Sequence, residues 1–141
     1  MRNLTAKRYE LFCKMHEDII DNMKRAADLY NSILSENGIE QFDYAARWYY
    51  DGEYEFESDG VHVKWDAYGP RGYHESGCCF IPLECITGDG WEQSVRAAAE
   101  SYLAEKSKKE NASKVREIES KKKELQRLNE KIIELSAELD Q

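Results

Sequence analysis

Proline is almost missing from this chain: Pro70 and Pro82 are the only two in 141 residues, and no glycine follows Gly90. Proline and glycine are the strongest local interrupters of regular structure, so nothing in the last third of the chain enforces a break. Long apolar runs are missing too. No stretch approaches the ~20 consecutive apolar residues of a membrane span. The opening MRNLTAKRYE lacks the apolar core of a secretory signal. Cysteine is sparse, with only Cys13, Cys78, Cys79 and Cys85. With no sign of secretion, these read as free thiols in a reducing, cytoplasmic setting. Positive charge is scarce over 31–100, where 4 Lys/Arg face 14 Asp/Glu, a net −10. Such a surface repels nucleic acid and anionic membrane and attracts basic partners. Phosphate-loop and dinucleotide fingerprints are absent; Gly69, Gly72 and Gly77 flank turns instead.

What is present divides into three parts: 1–40, 41–89 and 90–141. Phe12, Met15, Ile19, Met23, Ala26, Tyr30 and Ile33 step by three and four, which predicts a helix over 5–37. Thr5 suits its N-cap. Asn37-Gly38 suits a Schellman ending, with Ile39 folding back on Leu34. Ten aromatics then fall between Phe42 and Tyr73. Tyr54 and Phe56 alternate with glutamates, and Val61, Val63 and Trp65 alternate with His62 and Lys64. The Ser58-Asp59-Gly60 turn between them predicts a β-hairpin. A third strand is expected near 73–81, and a helix should cover the apolar face. The expected core joins Tyr54, Phe56, Val61, Val63, Trp65, Phe80, Ile81 and Trp91 to the helices.

The last part reads as helix. Asp89-Gly90-Trp91-Glu92 fits an Asp-x-x-Glu cap. Ile118, Leu125, Ile132 and Leu139 repeat every seven residues, with Leu128 and Leu135 between them. This is a coiled-coil seam. Asn111 holds the same seam position one heptad earlier, where a polar residue fixes register, and Lys121 weakens the seam at one core-type position. KSKKENASK (106–114) has almost no apolar face, and a bend is expected there. A lone helix of this length is poorly stable in water. The seam therefore needs a partner: a second copy, the first helix, or another protein. The fold class expected is α+β: a long N-terminal helix, a three- to four-stranded antiparallel sheet and a long C-terminal helix with a coiled-coil end. A homodimer is the expected state.

Four constellations are candidates for function. Asp51, Glu53, Glu55, Glu57 and Asp59 occupy every second position, an acidic row on a short strand. Alternate strand residues lie ~6.7 Å apart. The row thus has about half the linear charge density of one DNA strand, which carries a phosphate per ~3.4 Å. It is either a docking face for a basic protein surface or a solvated guard on an edge strand. Trp48, Tyr49 and Tyr50 are candidate anchors, since three consecutive rings cannot all be buried on a small sheet. His62, His74, Cys78, Cys79 and Cys85 contain zinc-type ligands without paired zinc spacing. Adjacent cysteines on a strand face opposite ways. Cys78 with His62 or His74 could be written as nucleophile and base, but GCCF has no elbow signature. No cofactor is expected, and no enzymatic role.

The string CCFIPLECITGDGWEQSV, following an aromatic acidic hairpin, resembles small uncharacterised proteins of phages and mobile elements. In these, a (F/I)PLE stretch follows a strand and precedes a helix opened near Trp-Glu. The likeness covers roughly 48–96. It implies an inhibitor or adaptor acting on a host system, with anti-CRISPR proteins and other inhibitors of host nucleases as one such group. It transfers no catalytic residues. The function expected is thus a non-enzymatic binding protein whose acidic face docks on a basic, nucleic-acid-binding target. The alternative is a coiled-coil adaptor, and a zinc-dependent domain is the remote one. Contact with nucleic acid itself or with membrane is not expected.

Overall fold

The computed structural model describes residues 3–141. Helix α1 runs Ala6–Glu36. It begins where expected, with Thr5 Oγ1 accepting the Arg8 N–H at 3.2 Å. It ends in a Schellman motif: the Ile39 N–H reaches the Leu34 carbonyl (3.0 Å) and the Gly38 N–H reaches Ser35 (3.2 Å). Gly38 sits at φ 84°, where a side chain would be strained. The fold-back buries Ile39 and Leu34 together.

Strands β1 (Glu53–Phe56), β2 (Gly60–Tyr68) and β3 (His74–Pro82) form one antiparallel sheet in the order β1-β2-β3. Tyr54 lies opposite Val63 and Phe56 opposite Val61, while Val63 lies opposite Cys79. The hairpin turn differs from the expectation. Phe56 and Val61 are the last pair of the ladder, and the Glu57 N–H donates to the Gly60 carbonyl at 2.9 Å. Ser58 and Asp59 therefore make the turn, and Gly60 opens β2. Gly60 has no positive φ; its place is a close approach, since a Cβ there would run into the Ile81 carbonyl.

The core lies on one face of this sheet. Val61, Val63, Trp65 and Ala67 from β2, and Ile81 from β3, are buried with Met23, Ala26, Ala27, Tyr30 and Leu34 of α1. His16 of α1 contacts the Tyr54 and Phe56 rings at 6.2 and 5.7 Å, which places α1 on that face. Val95 and Ala99 add the first turns of α2 (Trp91–Leu139). Two expected core residues are elsewhere. Phe80 lies opposite His62 on the other face, because strand side chains alternate and Ile81 already points inward. Phe56 is 49% exposed: it ends a four-residue edge strand, with the His16 and Tyr54 rings beside it at 5.7 and 6.1 Å.

Connections are pinned by polar side chains of α1. Asn22 Nδ2 donates to the Ile86 carbonyl (3.0 Å), and Asn31 grips the main chain of Trp48 from both sides (2.9 Å each). Arg47 spreads over the C-terminal end of α1, donating to the carbonyls of Asn31, Ile39 and Glu40 and to Ser35 Oγ. A cation suits the negative end of a helix.

Helix α2 starts one residue later than the Asp-x-x-Glu reading. Gly90 accepts the first intrahelical bond, from Ser94, and so Gly90 rather than Asp89 is the cap. The bend expected at 106–114 does not occur; α2 is one continuous helix of 49 residues. A charged pair supports that stretch, Lys106–Glu110 at 4.0 Å, and Lys121–Glu117 at 2.9 Å follows on the same helix. The chain divides into two compact units, Met1–Ser101 and Tyr102–Gln141, with the boundary inside α2. Among the described residues, no helix is long and apolar enough to cross a membrane.

Candidate interaction surfaces

The five-acid row is only partly a strand feature. Glu53 and Glu55 belong to β1, but Asp51 precedes Gly52, Glu57 follows the strand, and Asp59 lies in the turn. β1 is an edge strand, so its acids guard an open edge. Glu53 lies opposite Lys64 and Glu55 opposite His62. Glu57 reaches His62 Nε2 at 3.4 Å. The acidic face is therefore a mixed one, interleaved with a lysine and a histidine. Glu53, Glu55, Glu57, His62, Lys64 and Cys78 line an open depression of ≈ 370 Å³ with Tyr54 at its side.

The expected aromatic anchors lie mostly inward. Trp48 is 8% exposed and stacks on Tyr30 with ring centroids 4.0 Å apart and planes 1° from parallel. Trp48 therefore cannot serve as a surface anchor. Tyr49 is half-buried and stacks on Trp65 at 4.5 Å. Burial pushes its hydroxyl up to about 12, against the opposing pull of Arg47. Tyr50 is half-buried beneath Lys24, whose Nζ lies 5.9 Å from its ring. Other rings are exposed: Phe42 (60%), Tyr68 (76%) and Tyr73 (52%), and also Tyr9, Phe12 and Phe56 on α1 and β1. Tyr68 was legible in principle, because it has the parity of His62, Lys64 and Asp66 on β2, the outer face.

The thiols and histidines do not converge on one point. Cys85 is buried and Cys79 half-buried, both with thiols raised by burial, Cys85 to about 11. His74 bonds Asp66 at 2.9 Å. Among the described residues, no three His, Cys, Asp or Glu side chains are grouped to hold a metal ion. The structure does align Cys78, His62 and Glu57, which the sequence left unplaced. Cys78 Sγ lies 3.9 Å from His62 Nδ1, and the far side of that ring faces Glu57. Cys78 and Glu57 are exposed and His62 is half-buried, unlike the enclosed, donor-lined setting in which acyl transfer is stabilised.

The coiled-coil residues are all on the surface of Tyr102–Gln141. Ile118, Leu125, Leu128, Ile132, Leu135 and Leu139 are 45–87% exposed, and every residue from 107 to 141 is exposed. No protein-family model, curated protein or solved structure matches the chain.

Proposed function

We propose that this chain is a non-enzymatic binding protein that self-associates as a parallel dimer through the seam of α2. The observation that carries the reading is the row of six exposed Ile and Leu side chains at heptad spacing between 118 and 139. Completing the burial of one such half-exposed side chain returns about 1 kcal/mol. Only a partner helix can bury the whole row.

The seam's chemistry favours a second copy as that partner. Ile118, Leu125, Ile132 and Leu139 take the a positions, and Leu128 and Leu135 the d positions. At two of the four a positions, Ile118 and Ile132, Ile at a with Leu at d suits two parallel strands. Asn111, also at a, would meet its own copy in that arrangement, the pairing that specifies register. Glu117 at g faces Lys122 at e of the neighbouring helix, an attractive flank. Lys121 at d is the discordant residue; Glu117 draws its ammonium outward at 2.9 Å.

Sedimentation of the full chain tests this. A species of twice 16.4 kDa is expected, falling to 16.4 kDa on Leu125→Asp/Leu128→Asp. A wild-type chain that stays monomeric at about 100 µM, well above the Kd of an ordinary homodimer, refutes it.

A second reading concerns the sheet. The shared depression of Glu53, Glu55 and Glu57 favours docking of a basic surface, such as that of a nucleic-acid-binding protein that an inhibitor would block. Glu53→Lys/Glu55→Lys/Glu57→Lys should then abolish salt-sensitive binding of a polylysine probe while leaving helicity intact. Unchanged binding removes that reading. The Lys64 and His62 that interleave with the acids weaken it relative to the seam.

A further inference from the structure

A cluster of exposed rings stands at the end of the sheet near the β2–β3 turn. Phe42 and Tyr44 meet edge to face at 6.2 Å, and Tyr44 lies 6.1 Å from Tyr73 in an offset stack. Tyr68 stacks on His74 at 4.7 Å. With Pro70 these rings bound two open depressions, of ≈ 390 and ≈ 420 Å³, that share Phe42, Tyr44 and Pro70 as a common wall. Grouped exposed aromatics on a chain this small mark a binding surface rather than chance exposure.

We infer that this surface is a docking groove for a proline-rich segment in the polyproline II conformation, with a basic residue beside the prolines. Four features select that occupant. Two adjacent shallow slots separated by an aromatic ridge match successive turns of an extended three-fold helix, whose pyrrolidine rings pack on aromatic faces. The polyproline backbone has free carbonyls and no internal hydrogen bonds, so it needs donors. The hydroxyls of Tyr44 and Tyr68 at the groove can supply them.

The rings are also held in place beforehand. The Tyr49 hydroxyl donates to the Tyr44 carbonyl at 3.0 Å, Tyr73 donates to Glu75 at 3.0 Å, and His74, under Tyr68, is fixed by Asp66 at 2.9 Å. Little side-chain freedom is then lost on binding. The charge is complementary as well. Glu75 presents its carboxylate at the Tyr73 edge, Asp66 lies beneath His74, and Glu40 is exposed two residues before Phe42. Arg71 stands at the turn, and Arg47, which lines the second depression, already donates to the carbonyls of Asn31, Ile39 and Glu40. The same rings could stack on bases, but single-strand grooves are basic, and residues 31–100 carry a net −10.

The test uses the full chain and three fluorescent probes: Arg-Arg followed by ten prolines, Arg-Arg followed by ten alternating Gly and Ser, and a single-stranded oligouridine. The proline peptide should bind saturably in the micromolar range and the other two should not. Tyr68→Ala/Tyr73→Ala, which removes only exposed rings, should weaken it at least about tenfold with far-UV circular dichroism unchanged. Glu75→Gln should weaken binding of the arginine-bearing proline peptide. No saturation by about 1 mM, undiminished affinity in the double tyrosine variant, or preference for the oligouridine each overturns the assignment. The probe is monovalent, so its affinity is independent of self-association through α2.

Discussion

Asn31 stands in for a missing strand partner. Trp48 belongs to no strand, yet its N–H and C=O are both satisfied at 2.9 Å by the Oδ1 and Nδ2 of Asn31. The indole beside them is stacked on Tyr30. This grip fixes the segment from which Tyr49 leaves to cover Trp65. Asn31→Ala removes both partners at once and leaves two part-buried main-chain groups unpaired. Each such bond is worth about 0.5–1.5 kcal/mol net, so the loss should be about 1–3 kcal/mol. For a unit of roughly 100 residues, that lowers the midpoint temperature by roughly 5–20 °C.

Urea unfolding followed by tryptophan emission is the assay. Trp48, Trp65 and Trp91 all lie in Met1–Ser101, so emission reports that unit and not the rest of α2. The midpoint should fall with the slope unchanged. Asn31→Asp keeps the acceptor, loses the donor, and sets a carboxylate against the Trp48 carbonyl. It should be no milder than the alanine variant. A loss below about 0.5 kcal/mol for Asn31→Ala would refute the argument, because the pair would then contribute less than one ordinary hydrogen bond.

Further outcomes follow from neighbouring features. Gly77→Ala should destabilise by about 1–3 kcal/mol, because its Cβ would lie 2.6 Å from the buried Trp65 ring; denaturant titration measures it. Tyr49 is held neutral by burial, with its hydroxyl raised from 10.0 to about 12. A raised folded value means that the stabilisation is whole below pH 10 and fades as pH climbs toward 12. Phenolate absorbance should show Tyr49 ionising only as near-UV dichroism is lost, and Tyr49→Phe should move alkaline unfolding to higher pH. An unmoved midpoint would assign that unfolding to other groups. Timed iodoacetamide labelling read by mass should modify exposed Cys78 first and Cys85, 1% exposed with its thiol raised to about 11, last. Equal rates would show that Cys85 is not enclosed.

Much of this molecule is set by local pattern. The start and stop of α1 follow from Thr5 and from Asn37-Gly38-Ile39, because caps satisfy end groups within a few residues. The first two strands follow from period-two alternation, and the absence of Pro and Gly after Gly90 leaves α2 unbroken, against the bend that the polar stretch 106–114 suggested. Those signals are short-range and need no knowledge of the fold. Tertiary structure decided which side chains share a face and which are covered. Phe80 and Ile81 are equally apolar in sequence, yet register sends one out and one in. Trp48 looked like an anchor until Tyr30, 18 residues earlier in the chain, closed over it, and Phe56 looked like core but is 49% exposed at the end of its strand. The acidic row lost its continuity in the same way: Lys64 and His62 meet Glu53 and Glu55 across a ladder. Burial and charge pairing depend on contacts between distant residues, so a linear pattern proposes candidates for both, and packing selects among them.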